Sequence, residues 1–113
     1  MAAVTIGVAR LEDAQTRLER AFDDSPQGAF IGFASVELLW RVMTPKRWEL
    51  LRALAGAGPL AIREVGRRLG RDVKSVHGDV SALLKAGVLD RSDDGRVVFP
   101  YDEIHVDFVL RVA

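Results

Sequence analysis

Apolar residues recur at helical spacing in two neighbouring stretches of the chain, with polar and charged residues between them. In the first stretch Ile62, Val65 and Leu69 are spaced i, i+3 and i+7, which predicts a short amphipathic helix. The second stretch carries a longer apolar stripe, which predicts a helix with one buried face. The residues of that stripe are Val73, Val76, Val80, Leu83 and Leu84.

The residues between and after these stretches carry signals that end and begin helices. Gly70 suits the left-handed conformation that ends a helix, Asp72 is a favourable cap for the next helix, and Gly87 ends that helix. Two amphipathic helices joined by a tight turn that contains glycine predict a helix-turn-helix. In such a motif the second helix, here residues 73–86, enters the major groove of DNA.

After the second helix the pattern changes to short β-prone runs. Residues 88–91 and 96–99 flank a four-residue loop that ends in glycine, which predicts a β-hairpin. A hairpin over residues 88–99, directly after a helix-turn-helix, is interpreted as a wing. Residues 104–110 alternate apolar and mostly polar side chains and predict a half-buried strand. We expect this strand to pair with an amino-terminal strand, either within the chain or across a dimer.

The amino-terminal third predicts a β-α-β arm, either packed on the core or exchanged between subunits. Its elements are a strand over 4–8, a helix over 10–23, a turn over 25–28 and a strand over 29–34. Ser35 then caps a helix over 36–43, and Thr44 and Pro45 begin another that runs to about Ala55. A short strand over 59–61 follows, which leaves Ala61 as a poor cap for the first helix of the motif.

These elements predict an α+β fold, built as a winged helix-turn-helix that is mainly α with a β-hairpin wing, plus the arm and a carboxy-terminal strand. Residues 1–34 form the arm, for packing or dimerisation; residues 35–100 form the DNA-binding domain; and residues 101–113 form the terminal strand. A chain of 113 residues has room for one domain with one core.

The formal net charge of zero is unexpected for a DNA-binding protein until the chain is divided. Residues 1–43 carry a net charge of −2, residues 44–99 carry +4 and residues 100–113 carry −2. Positive charge is therefore concentrated on the helix-turn-helix region, as DNA binding requires. The excess is modest, so we expect binding to rely on two copies or on a few good contacts.

Several functional classes are not supported by the composition. The chain has no cysteine, and His77 and His105 lie far apart without a third ligand, so neither a metal nor another cofactor is expected. The acidic residues near His105 would alternate faces on a strand, and no nucleophile or glycine-rich phosphate loop accompanies them. We therefore expect no catalytic residues and no enzyme activity.

The same sequence carries no signal for a membrane or for export. No stretch reaches the roughly 18 uncharged apolar residues that a membrane helix needs. The amino end lacks the basic start and long apolar run of a signal peptide. The expectation is a cytoplasmic, nucleoid-associated protein without a membrane partner.

The face of the second helix opposite its apolar stripe offers groups that can read bases. These candidates are Lys74, Ser75, Gly78 and Ser81. Lys74 and Ser75 lie in the first turn, where a helix-turn-helix makes its base contacts, and lysine suits the acceptors of guanine. Gly78 costs about 1 kcal/mol relative to alanine in a helix. It either permits close approach to the DNA backbone or is tolerated without a role.

Basic residues around this face are candidates for contacts with phosphate. They are Lys46, Arg47, Arg63, Arg67, Arg71, Lys85, Arg91 and Arg96. Lys46 and Arg47 lie in the first turn of a helix, where each cation opposes the helix dipole by about 0.3–1 kcal/mol, so either a phosphate contact or a solvated charge pair explains them. Arg68 is four residues from Glu64 and is expected to form a surface ion pair.

Some longer segments resemble a known family. They are residues 43–51, beginning Met-Thr-Pro-Lys-Arg-Trp, residues 76–84, residues 87–89 and residues 95–102. Together they resemble a family of small archaeal and bacterial DNA-binding proteins in the MarR-like winged-helix group, over roughly residues 33–110. The resemblance implies a winged-helix transcriptional regulator, usually dimeric. Relatives often carry a basic residue where this chain has Gly78 and a capping serine where it has Ala61.

Two functions of different classes follow. The first is a sequence-specific transcriptional regulator of double-stranded DNA, a homodimeric repressor with residues 73–86 as recognition helix and 88–99 as wing. The second is a protein-interaction module that binds a small toxin-like protein through the arm or tail, since the resemblance implies that some relatives are antitoxins. The weak basic excess, Gly78 and the acidic flanks favour the second function, and one molecule can have both.

Overall fold

The structure, a computed structural model, describes residues 2–9 and 29–110 of the chain. The predicted helix over 10–23 and turn over 25–28 lie outside the described residues. Within the described part, four helices and two sheets form an α+β fold, as the sequence predicts. The elements are β1 Ala3–Val8, β2 Ala29–Phe33, α1 Val36–Val42, α2 Pro45–Leu54, α3 Ile62–Leu69, α4 Val73–Lys85, β3 Asp90–Arg91, β4 Val97–Val98 and β5 Glu103–Asp107.

The larger sheet joins the two ends of the chain. Its strand order is β2-β1-β5, and both pairings with the central strand β1 are parallel. Val4 is in register with Ala29 on one side and with Ile104 on the other. The carboxy-terminal strand therefore pairs with an amino-terminal strand of its own chain. It spans Glu103–Asp107, so the predicted extension to residue 110 is wrong.

One hydrophobic core lies between this sheet and the helices. Val4, Ile6 and Phe33 enter it from β1 and β2, because alternate residues of a strand project to the same face. They pack with helix residues that are almost fully inaccessible to solvent, among them Leu39, Leu50, Leu51, Leu54, Val65, Val76, Val80 and Leu83. Both strands of the predicted arm thus pack on the core within the chain.

Local capping signals determine where the helices begin. The Ser35 hydroxyl accepts a hydrogen bond from the Leu38 amide at 3.1 Å at the start of α1, and Thr44 occupies the same position before α2. Gly70 ends α3 in the left-handed conformation, with φ of 65°. Ala61 occupies the cap position of α3 without a side-chain hydrogen bond. The predicted boundaries of these helices are confirmed to within one residue.

The smaller sheet is a hairpin attached to the start of α3. Strands β3 and β4 are antiparallel, with Asp90 opposite Val98 and Arg91 opposite Val97. Leu60 and Val97 exchange two backbone hydrogen bonds, of 2.8 and 2.9 Å. The strand predicted over 59–61 is therefore reduced to a single bridged residue, which connects the hairpin to the segment before α3.

The prediction that Val73 is buried is wrong. Val73 is 49% exposed, whereas Val76 and Val80 of the same stripe are inaccessible to solvent. It is the first residue of α4, and a Cβ atom added to Gly66 of α3 would lie 3.9 Å from its side chain, so Val73 borders α3 without being covered. Val73 therefore begins the outer surface of α4.

Across residues 2–9 and 29–110, every helix is too short or too polar to cross a lipid bilayer.

Candidate nucleic-acid interface

The outer face of α4 is exposed along its amino-terminal half. Lys74, Ser75 and Gly78 are exposed, and Ser81 is partly buried at the margin of this face. On the opposite face Val76, Val80 and Leu83 are inaccessible to solvent. These three residues fix the rotation of the helix about its axis, because any other rotation would expose them. The base-reading candidates therefore lie on the side of α4 that faces away from the core.

The first turn of α4 is held by Asp72. Its carboxylate accepts hydrogen bonds from the Ser75 amide at 2.7 Å and from the Ser75 hydroxyl at 3.1 Å. Both hydrogen bonds lower the pKa of Asp72, and the one from the Ser75 amide has the larger effect. Because the Ser75 hydroxyl donates to Asp72, its oxygen is left to accept a hydrogen bond from a partner. The amino groups of adenine and cytosine are donors of this kind in the major groove.

Lys74 lies beside this cap, but its side chain, unlike that of Ser75, is not bound to Asp72. Its ammonium group makes no hydrogen bond or ion pair with any described residue, and its side chain is exposed. An ammonium group has three donors and no acceptor. Lys74 therefore carries a positive charge and free donors at the end of α4 where Ser75 offers an acceptor.

Gly78 lies one turn further along the same face. A Cβ atom added to Gly78 would have no neighbouring atom within 4 Å. The packing of this protein therefore does not require glycine here, although the residue weakens the helix. The open space lies outside the protein, where a partner could approach the α4 backbone closely.

Gly78→Ala should raise the free energy of unfolding by about 0.5–1 kcal/mol, because alanine loses less backbone entropy in a helix and meets no obstacle. Urea unfolding measures this gain. DNA affinity measured on the same variant separates the two interpretations of Gly78. A loss of affinity in the stabilised variant indicates close approach of the DNA backbone, and unchanged affinity indicates a tolerated glycine. A less stable variant would contradict the open environment.

An ion-pair cluster joins α4 to the elements beside it. Asp79 of α4 accepts a hydrogen bond from Arg47 of α2 at 3.0 Å and another from Arg71 of the turn at 2.7 Å. The exposed fractions of the three side chains are 21%, 18% and 16% for Arg47, Arg71 and Asp79. Arg47 also donates to the carbonyl of Val42 at 2.8 Å. The cluster ties α2, the turn and α4 together beneath the exposed face.

Two opposing effects act on the Asp79 carboxyl. Burial raises its pKa. The hydrogen bonds and charges of Arg71 and Arg47 together lower the pKa by a larger amount, so it lies below the ordinary value. Asp79 is therefore ionised at neutral pH, and the charges of the two arginines are partly balanced inside the protein. Sequence reasoning missed Asp79. Its place beside Val76 and Val80 could have marked it as a residue at the edge of the buried face.

The remaining basic candidates fall into two groups. Lys46 and Arg63 are exposed, and neither side chain is paired with a described residue. The others have partners or line another surface. Arg67 and Arg68 share the Glu64 carboxylate, and their hydrogen bonds lower the pKa of Glu64 to about 2. The predicted ion pair between Arg68 and Glu64 is thus confirmed.

The hairpin and the end of α4 carry the last three candidates. Arg91 donates to the carbonyl of Gly95 at 3.1 Å, and Arg96 pairs with Asp94 at 3.2 Å. Both arginines are exposed, so these contacts are on the surface. Lys85, at the far end of α4, lines an apolar cleft of about 370 Å³ between β2, α1 and α4. Lys85 is thus more than two turns away from Lys74 and Ser75 along the helix.

Among the residues that the structure describes, no group of three histidine or acidic side chains could hold a metal ion.

The fold and this surface thus define a small α+β protein whose candidate site is an exposed helix face with basic residues around it. Residues 42–106 match the model of the HVO_A0114 family, and the chain belongs to this family. The match covers more than half of the 113 residues and includes every candidate site residue. No curated protein matches the chain.

Proposed function

We propose that this protein is a sequence-specific transcriptional regulator that binds double-stranded DNA. In this proposal α3 and α4 act as a winged helix-turn-helix, with α4 as the recognition helix and the β3–β4 hairpin as the wing. The observation that carries the proposal is the exposed face of Lys74, Ser75 and Gly78, held outward by the buried stripe of α4. The resemblance to MarR-like winged-helix proteins supports it.

Bases are read from the first turn of α4 in this proposal. Lys74 donates to guanine O6 and N7, and Ser75 accepts from an adenine or cytosine amino group. Gly78 lets the helix backbone lie close to the groove wall, and Ser81 contacts the rim of the site. This division follows from the hydrogen bonds of Ser75, whose hydroxyl proton is already directed at Asp72.

Phosphate contacts differ in how readily each basic residue can make them. Lys46 and Arg63 contact phosphate directly, since both are exposed and unpaired within the described chain. Three further arginines are exposed and would lose only a weak surface contact on binding a phosphate: Arg67, Arg91 and Arg96. Arg47 and Arg71 act indirectly, because their bonds to Asp79 hold α4 in place. Lys85 is assigned to the periphery of the interface.

The net charge of +4 on residues 44–99 is small for a single DNA-binding domain. Two copies on a palindromic operator double both the phosphate contacts and the base contacts. We therefore propose a homodimeric repressor, which blocks transcription by occupying its operator.

Selection of bound DNA from a random pool, at two salt concentrations, tests the proposed function. We expect an enriched palindrome whose affinity falls with salt, at a slope of roughly −0.9 per phosphate contact in a plot of log K against log salt concentration. Absence of an enriched sequence at both salt concentrations would overturn the proposal. Absence of salt-sensitive DNA binding, together with co-purification of a small partner protein, would favour the interaction module instead.

A further inference from the structure

An exposed apolar surface lies at the carboxy-terminal end of the described chain. Among the described residues, five large apolar side chains are exposed, and four of them lie here. Phe108 joins Trp40 to the carboxy-terminal segment, because its ring meets the ring of Trp40 edge-on at a centroid distance of 5.6 Å. We call this surface the tail patch; it consists of Trp40, Val106, Phe108, Val109 and Leu110.

The tail patch continues an open edge of the larger sheet. Strand β5 pairs with β1 on one side, and no described strand lies on its other side. Val106 is in register with the buried Ile6, yet it is 49% exposed. Residues paired in register project to the same face of a sheet, so Val106 extends the core face beyond the last covered strand. An open edge with adjoining apolar side chains is a template for pairing with another strand.

We infer that β5 pairs antiparallel with β5 of a second copy of this chain, about a two-fold axis at Val106. The two three-stranded sheets then join into one sheet of six strands. The inference depends on the sheet edge and the tail patch, and it is independent of DNA binding by α4. It assigns the dimer surface to the end of the molecule formed by β5 and α1.

The polar side chains of β5 select this register. In a two-fold antiparallel pair, residues equally distant from the axis face each other on the same side of the sheet. The Nε2 atom of His105 lies 3.4 Å from the Glu103 carboxylate of its own strand. An axis at Val106 also places the imidazole opposite Asp107 of the partner subunit, twice, where an imidazole N–H can donate to a carboxylate. An axis at His105 would place Glu103 opposite Asp107 of the partner subunit, which sets like charges together. The first arrangement is complementary and the second is repulsive.

The same register is also complementary on the apolar side of the sheet. Val106 then faces its own copy across the axis, and Ile104 lies opposite Phe108 of the partner subunit, the residue that directly follows β5. Trp40, in contact with Phe108, borders this pair. One register therefore matches apolar side chains on the core face and hydrogen-bond donors with acceptors on the other face. This double match supports a second copy as the occupant over an unrelated strand.

Sedimentation velocity on the full chain tests the inference. We expect the wild-type protein to sediment as a dimer of twice 12.4 kDa. Val106→Lys should raise the dimer dissociation constant about a hundredfold or more, because two lysines would face each other at the axis. Val73→Lys is the matched control, since Val73 is equally exposed but lies on α4, and it should remain dimeric. Circular dichroism checks that both variants are folded.

A mixing experiment tests the register itself. His105→Asp alone sets the new carboxylate against Asp107 of the partner subunit, and Asp107→Lys alone sets a lysine against His105, so each variant should dimerise weakly. An equimolar mixture should recover the dimer, because the heterodimer restores an opposite-charge pair at one position and the native pair at the other. A monomeric wild type, or a dimeric Val106→Lys variant, would overturn the interface. Failure of the mixture to recover would overturn the register.

The dimer test and the DNA test can fail separately. Dimerisation without an enriched operator would leave the β5 interface in place and remove the proposed regulator. An enriched operator bound by a monomer would remove the β5 interface and the homodimer, but it would leave sequence-specific DNA binding by α4 in place.

Discussion

Replacing Asp79 by asparagine should lower the free energy of unfolding by about 1–3 kcal/mol, since the loss of one partner leaves two partly buried arginines without a counter-charge. Arg47 would keep its hydrogen bond to the Val42 carbonyl, but both arginines would face a neutral amide in place of the carboxylate. The loss should exceed that of an exposed ion pair, because solvent cannot fully replace the missing carboxylate. Urea unfolding of both proteins measures the difference.

The dependence of this difference on pH identifies the carboxylate as its cause. The folded-state pKa of Asp79 is below its ordinary value of 3.8, so folding favours the ionised form. Its contribution to stability is therefore complete above the unfolded-state pKa and is lost as pH falls through the lower folded-state pKa. We expect a constant difference between wild type and variant from about pH 5 to 8, which shrinks below about pH 4.

Glu64→Gln provides the matched control. Glu64 also accepts hydrogen bonds from two arginines, but these lie on the exposed surface of α3. Solvent screens such pairs and hydrates the arginines when the carboxylate is removed. The control should leave the free energy of unfolding nearly unchanged at neutral pH. Equal losses from Asp79→Asn and Glu64→Gln would contradict the role assigned to the partly buried ion-pair cluster.

Lys74→Ala should weaken binding to the selected operator by about 1–3 kcal/mol, a factor of roughly 5–150 in the dissociation constant. The ammonium group is exposed and unpaired within the described chain, so its removal costs no internal contact. If Lys74 donates to guanine, the variant also loses its preference at one base pair of each half-site. Binding titrations against operators substituted at each position measure both effects.

Lys46→Ala separates base reading from general attraction to DNA. Lys46 is also exposed and unpaired, but it begins α2 and is proposed to contact phosphate. Its replacement should weaken binding equally on all sequences and reduce the salt slope by about 1. If Lys74→Ala instead shows this uniform loss, Lys74 contacts phosphate and base reading belongs to other residues of α4.

Much of the fold could be predicted because its signals are local. The caps at Ser35, Thr44 and Asp72 and the left-handed Gly70 mark helix ends within one or two turns of sequence, and the structure places helix ends there. Where the local pattern failed, the reason is tertiary. Val73 belongs to the apolar stripe of α4 by spacing, but at the start of the helix it is 49% exposed, outside the packed core.

The candidate site divides in the same way. The outer face of α4 follows from helical periodicity, so Lys74, Ser75 and Gly78 could be identified without coordinates. The ion pair of Arg47 could not be predicted, because its partner Asp79 lies 32 residues away in the chain. A basic residue in the first turn of a helix has the same local appearance whether it contacts phosphate or a buried carboxylate.

The sequence by itself determined the positions of the helices and which face of each is apolar, because both depend on interactions between residues within a few positions of one another. Only the tertiary structure decided that the amino-terminal partner of β5 is β1 of the same chain, and that Asp79 joins α4 to α2 and the turn. These contacts unite residues far apart in the chain. They form because the packed core brings such residues together, and a local sequence pattern does not specify which distant residues meet.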